Sequence, residues 1–228
     1  MSSVAEQTAA AAAAWMTAWS TGPVRTRWET LPVQVGDSAP DLGLRTSDGD
    51  AMRLSELWSA GPALLLFWRH FGCGCGLARA ERLETELAEY TAAGAVVAVI
   101  GQAEPERSSA YREQVGLRCL MLCDPQRMAY RAFGLLDGDA AQILYDAPDA
   151  LQRRDREAGR RFAEGRSNDG RPPVDSPWQM PGEFVVDGSG KIRLAYRYQY
   201  CEDFPDPRVL ATAIRLGSTT QPRESAGT

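Results

Sequence analysis

The chain is short of the features that usually announce a function. Its 228 residues contain a single histidine, His70, and no second ligand pair at standard zinc spacing accompanies it. Basic residues are outnumbered, 25 Lys and Arg against 30 Asp and Glu, for a net charge of −5. That excludes the broad basic surface that attracts phosphate backbones or anionic lipid, so neither nucleic acid nor a membrane is an expected partner. No apolar run approaches the roughly 20 residues of a bilayer-spanning helix; the longest are ALLLFW at 63–68 and AVVAVI at 95–100. The alanine run near the start carries Glu6 and has no Lys or Arg before it, unlike a secretory signal, so the expected location is cytoplasmic. No internal repeat occurs. Five cysteines are too few for a disulfide scaffold, and their odd number leaves at least one thiol without an intramolecular partner.

What is present is the composition of a folded protein, 44% apolar, with an alternating order of elements. Residues 4–19 are alanine-rich, with Trp15 and Trp19 one turn apart, and predict an amphipathic helix. The preferred reading packs both indoles on the protein's own body; the sharper one uses them as a homodimer contact. A turn-rich linker follows to residue 34. The segments DLGLRT and AMRLSEL around Ser47–Asp50 predict a hairpin. ALLLFWRHF at 63–71 predicts a strand buried on both faces, and Leu77, Ala80, Leu83, Leu87 and Tyr90 predict a helix over 77–93. The alternation continues as strand AVVAVIGQ, helix EPERSSAYREQVG, strand RCLMLCD and a short helix beginning at Pro125. GEFVVDGSGKIRLAYRYQ predicts two strands about a glycine turn, and 206–217 a closing helix. The expected architecture is α/β, a mixed central sheet flanked by helices with an N-terminal helical extension. Its divisions are 1–34 (helix and linker), 35–217 (the main domain, with an insertion at 136–177) and 218–228 (a disordered tail). The insertion, rich in Asp, Arg, Gly and Pro, predicts a solvated helix or loop, or in the sharper reading a lid.

Chemistry concentrates in FWRHFGCGCGLARAE, residues 67–81. Cys73 and Cys75 fall between a buried strand and the next helix, the edge at which open α/β sheets build their sites. Helix N–H groups and dipole favour thiolate there, and Arg69 and Arg79 would add to the effect by turning inward. Gly74 and Gly76 free the backbone for unusual φ values and let a second sulfur approach. The alternatives are small buried residues under a helix, or a soft-metal site, copper or zinc, drawing on Cys73, Cys75, Cys201 and His70. Cys119 and Cys123 are too far apart along a strand to bridge. Cys201 is a resolving thiol if its loop reaches the pair, and otherwise a surface cysteine.

The order of elements and the motifs VGDSAPDLGLRTSDGDAMRLSEL, CDPQRMAYRAFGL and SPWQMPGEFVVDGSGKIRLAYR resemble the thioredoxin fold in its peroxiredoxin branch, the alkyl hydroperoxide reductase and thiol-specific antioxidant proteins. The resemblance spans about 35–217. It implies a thiol-dependent oxidoreductase with no cofactor, in which Cys73 occupies the family's first redox position. It further implies a thiol reductant as partner, thioredoxin-like or of low molecular weight. Two departures stand out. The second cysteine is Cys75, not a residue at position 76, and His70 stands where that branch carries the hydroxyl that orients a peroxide. Pro181, after Met180, falls where such folds place a cis-proline beside the active cysteine. Arg193 or Arg197 would stand in for the family's arginine from the hairpin.

Overall fold

The computed structural model describes residues 2–143 and 174–219. Residues 144–173 of the predicted insertion, with the helix, loop or lid expected there, and the predicted tail beyond 219 lie outside them. Among the described residues seven strands form one sheet in the order β2-β1-β5-β4-β3-β6-β7. They are β1 (Gly43–Thr46), β2 (Ala51–Arg53), β3 (Ala63–Phe67), β4 (Val96–Gly101), β5 (Leu120–Cys123), β6 (Gly182–Val186) and β7 (Ile192–Arg197). The helices are α1 (Val4–Thr21), α2 (Leu54–Leu57), α3 (Gly74–Ala92), α4 (Pro105–Val115), α5 (Met128–Ala132), α6 (Ala140–Ile143) and α7 (Pro207–Ser218). β3, β4 and β5 run parallel, while β6 joins β3 antiparallel and closes into a hairpin with β7.

The continuous apolar run predicted to be buried on both faces is so. Along β3, Leu64 and Leu66 point into one core with Leu83 and Tyr90 of α3, Tyr111 of α4 and Ile214 of α7. Ala63, Leu65 and Phe67 point into the other, with Leu54 of α2, Tyr130 of α5 and Phe133. Full burial of each large side chain contributes about 1.5–3 kcal/mol, which makes β3 the anchor of the sheet. Outside β7, Gly36 donates to the Ile192 carbonyl, the Ile192 N–H donates to Asp37, and Arg197 reaches the Val33 carbonyl. The linker therefore covers the start of that outer edge.

Three boundaries depart from the sequence reading. β3 stops at Phe67, and residues 68–71 bend away while staying buried. α3 begins at Gly74 rather than at 77, because a Cys-Gly-Cys-Gly start carries no apolar period although Cys73 caps it. α5 begins at Met128, not at Pro125. The Asp124 carboxylate accepts the N–H groups of Met128 and Ala129, 2.8 and 2.7 Å away, and caps the helix from four residues upstream. α1 carries the capping box of Ser3 and Glu6 and runs to Thr21. Trp15 and Trp19 are buried against the protein's own body, so neither indole is free as a dimer contact.

Candidate active site at the Cys73–Cys75 pair

The parallel strands deliver the chain to the carboxyl edge of the sheet, where residues 68–72 turn into α3. The Cys73 N–H donates to the His70 carbonyl at 3.0 Å, setting Cys73 as the N-cap and placing Cys75 in the first helical turn. The two cysteines form a disulfide with Cα atoms 5.3 Å apart, inside the usual span of about 4.4–6.8 Å. They are only 6% and 4% exposed. Gly74 and Gly76, expected to free the backbone for unusual φ values, are not among the glycines with positive φ. Gly76 matters for another reason: a Cβ there would stand 3.3 Å from the Tyr111 hydroxyl.

Arg69 is buried and points at the pair. Its Nη1 donates to Cys73 Sγ at 3.1 Å, and its other nitrogens donate to the carbonyls of Gln179 and Pro177. Those carbonyls fix the guanidinium plane against the sulfur, an arrangement that favours the charged form of Cys73 once reduced. Gln102, just after β4, donates to the Arg69 carbonyl and accepts the Ser176 N–H at 3.2 Å, tying the redox loop to the segment before β6. Arg79 does not serve the cysteines. It is buried between Glu183 of β6 at 2.7 Å and Glu86 at 2.8 Å, and Tyr198 donates to the same Glu183. Burial, with Glu183 beside it, pushes the Tyr198 phenol well above its ordinary range.

An apolar cluster encloses the pair: Trp15 and Trp19 of α1, Trp178, Met180, Tyr198, Ile143 and Cys201. The three indoles stack, Trp15 on Trp19 with centroids 5.5 Å apart and Trp19 on Trp178 at 4.4 Å. Trp178 Nε1 donates to the Ala18 carbonyl, and His70 meets Trp15 edge-on at 6.0 Å. Cys201 is buried in this cluster rather than at the surface, its thiol donating to the Ile143 carbonyl at 3.1 Å. No cis peptide occurs among the described residues, so Met180–Pro181 is trans. Pro181 lines a small recess of about 130 Å³ with Trp28, Arg197 and Tyr198, while its neighbour Met180 joins the cysteines.

Other expectations are redirected. Arg193 is held by Asp187 at 2.6 Å at the far end of the hairpin, and Arg197 donates to the Phe133 and Val33 carbonyls, so neither stands beside the cysteines. Cys119 and Cys123 are free thiols, Cys123 buried in β5; burial pushes Cys119 up to about 11. Among the described residues no group of three or more His, Cys, Asp and Glu is placed to hold a metal, and the two closest thiols are bonded to each other. Sequence reasoning missed Gln102, which carries no motif, and assigned no role to Trp178 and Met180 although both lie in the SPWQMPGEFVVDG segment.

Comparison with known proteins bears on this geometry. The family model described as AhpC/TSA matches residues 35–195. The chain is 25% identical over 178 residues to the thioredoxin-like protein AAED1, chloroplastic, of Arabidopsis thaliana, covering 76% of this chain and 68% of that protein. It is 29% identical over 105 residues to the putative peroxiredoxin bcp of Helicobacter pylori, covering 45% of this chain and 68% of that one. Among solved structures, peroxidoxin BcpB of Mycobacterium tuberculosis superposes with a TM-score of 0.57 at 18% identity, covering 81% of this chain and 97% of that chain. The thiol peroxidase of Chromobacterium violaceum does so at 0.54 and 15%, covering 82% and 89%. At those identities the superpositions speak for the fold, a thioredoxin-like one. Taken with a family match across most of the sheet and a disulfide at the carboxyl end of its central strand, they lead to one conclusion: the chain belongs to the AhpC/TSA family, in the peroxiredoxin-like branch of the thioredoxin fold.

Proposed function

We propose that the protein is a thiol-dependent oxidoreductase that cycles Cys73 and Cys75 between dithiol and disulfide while reducing a peroxide or a disulfide-type oxidant. The observation that carries this reading is the Cys73–Cys75 disulfide at the start of α3, with Arg69 Nη1 3.1 Å from Cys73 Sγ. Cys73 is the nucleophile. With a hydroperoxide, its thiolate attacks the terminal oxygen, the O–O bond breaks, and an alcohol or water leaves while Cys73 becomes the sulfenic acid. The Cys75 thiol then attacks Cys73 Sγ, expels water and closes the disulfide. Two equivalents of a thiol reductant restore the dithiol and leave as their own disulfide. With a disulfide oxidant, Cys73 forms a mixed disulfide that Cys75 resolves, releasing two thiols.

Arg69 and the N–H groups of the first turn of α3 stabilise the thiolate, and Pro181, whose neighbour Met180 packs with the pair, shapes the substrate groove. Cys201, in the same buried cluster, is the second candidate for the resolving thiol. The division into an N-terminal helix with linker (1–34) and a main domain (35–217), and a cytoplasmic location, belong to this proposal. Among the described residues no helix is long and apolar enough to cross a membrane.

The test is to treat reduced protein with about one equivalent of hydrogen peroxide, block the remaining thiols, digest with trypsin and weigh the peptides. A loss of two hydrogens within His70–Arg79 is expected. A cross-link to Tyr198–Arg208 would make Cys201 the resolver, and cysteines that all stay reduced would end the redox reading.

A further inference from the structure

The redox reading requires outside thiols to reach a disulfide that is almost completely enclosed, and part of the enclosure lies outside the matched family region. Residues 35–195 match the AhpC/TSA model, whereas Trp15 and Trp19 belong to α1, upstream of it. These two indoles and Trp178 form a continuous stack within the cluster that holds both cysteines. The stack is fastened to α1 by the hydrogen bond from Trp178 Nε1 to the Ala18 carbonyl at 2.9 Å. A separate recess, lined by no residue of this cluster, lies close to the redox loop through Gln102. It sits between the N-terminal turns of α1 and the start of α4, measures about 390 Å³ and is lined by Ala10, Ala11, Ala14, Gln102, Arg107 and Asp175 among others.

Two residues of the recess lining, Gln102 and Arg107, contact the redox loop. Gln102 donates to the Arg69 carbonyl, and the Arg69 side chain donates to Cys73 Sγ. Arg107 pairs with Asp175 and lies over the Phe71 ring at 5.6 Å, two residues from Cys73. Its Nε and Nη1 are buried without a hydrogen-bond partner, a costly state that a small polar ligand or water would relieve. The volume falls in the range of small-molecule sites, about 300–1,000 Å³. A folded reductant makes a different demand, a docking surface of about 800 Å² per partner centred on the reacting sulfur. α1 stands on that ground.

We propose that Trp15 and Trp19 are specificity-determining residues that restrict exchange at Cys73–Cys75 to low-molecular-weight thiols and oxidants entering by the recess between α1 and α4, and exclude folded thioredoxin-type partners. The inference rests on the redox reading and names its reductant class. The entering thiolate attacks Cys73 Sγ, the S–S bond breaks, Cys75 leaves as thiolate and takes a proton, and a second small thiol releases the first as a disulfide.

The experiment reduces the oxidised full-length protein with 2-mercaptoethanol and, separately, with a reduced thioredoxin, and follows the His70–Arg79 peptide by mass. The small thiol is expected to reduce the pair and the thioredoxin to lag far behind. In Trp15→Ala/Trp19→Ala the ratio of thioredoxin rate to small-thiol rate should rise tenfold or more, with Cys123 labelling unchanged as the control for folding. Ala14→Trp, at an exposed position on the mouth of the recess, should slow the small thiol several-fold. Efficient reduction of the wild-type protein by thioredoxin, or a ratio that neither variant moves, overturns the inference and leaves the redox cycle standing. A disulfide that neither reagent reduces ends both.

Discussion

Replacing Arg69 tests the electrostatic core of the site. Arg69→Met keeps an unbranched chain and removes the cation 3.1 Å from Cys73 Sγ. An opposite charge this close lowers an acid's pKa by about 1–3 pH units, so the variant should hold about 10 to 1,000 times less Cys73 thiolate at pH values below the wild-type midpoint. A more basic thiolate is also the better nucleophile, with a Brønsted coefficient of about 0.4–0.5, which leaves a net slowing of about 3-fold to 50-fold. The assay is iodoacetamide alkylation of the reduced protein across pH, read on His70–Arg79, or on Leu54–Arg79 in the variant, where the cleavage site after residue 69 is lost. Arg69→Met also strands the Gln179 and Pro177 carbonyls, so Arg69→Lys separates charge from scaffold: it should recover most of the reactivity while lacking the planar fork. An alkylation midpoint that is the same in the wild-type protein and the methionine variant would refute the argument that Arg69 activates Cys73.

Glu183→Gln removes the anion closest to the buried Arg79 while Glu86 and the Tyr198 contact stay in place, and should cost about 3 kcal/mol, the lower end of values for breaking a buried pair. Urea denaturation at unchanged m reads this, and a loss under about 1 kcal/mol would show that Glu86 alone suffices. Burial holds the folded Cys119 thiol to about 11 against an ordinary value near 9. The folded form keeps this proton where the unfolded chain gives it up, so its contribution to stability is present below about pH 9 and lost as pH rises toward 11. Alkylation of Cys119 in the folded protein should climb only over the same interval, and full reaction at pH 9 would contradict the burial argument.

Much of this molecule is legible in its sequence because the responsible signals are local. The apolar runs give β3, β4 and β5, the glycine turn gives the β6–β7 hairpin, and Arg69 stands four residues from the sulfur it faces. The remainder is carried by contacts with no local trace. Gln179, which orients Arg69, is 110 residues away, and Trp178 is 160 residues from the Ala18 carbonyl it bonds. The start of α5 is hidden because a carboxylate four residues earlier does the capping while Arg127 takes φ 54°. Arg79 looked like a partner for the cysteines because proximity in sequence carries no information about Glu183 on the neighbouring strand.

The linker segment along β7 has a meaning for how the protein keeps to itself. A strand at the margin of a sheet offers unpaired N–H and C=O groups to any extended chain, and β7, at six residues, is the longer of the two margins; β2 has three. The bonds from Gly36 to Ile192 and from Ile192 to Asp37 occupy the first of those groups, and Arg197, bonded to the Val33 carbonyl, ties the linker to the strand's other end. The residues between α1 and β1 thus act as an intramolecular stopper against strand-to-strand association, and the same piece of chain that leads from the indole-bearing helix to the sheet keeps that sheet from growing.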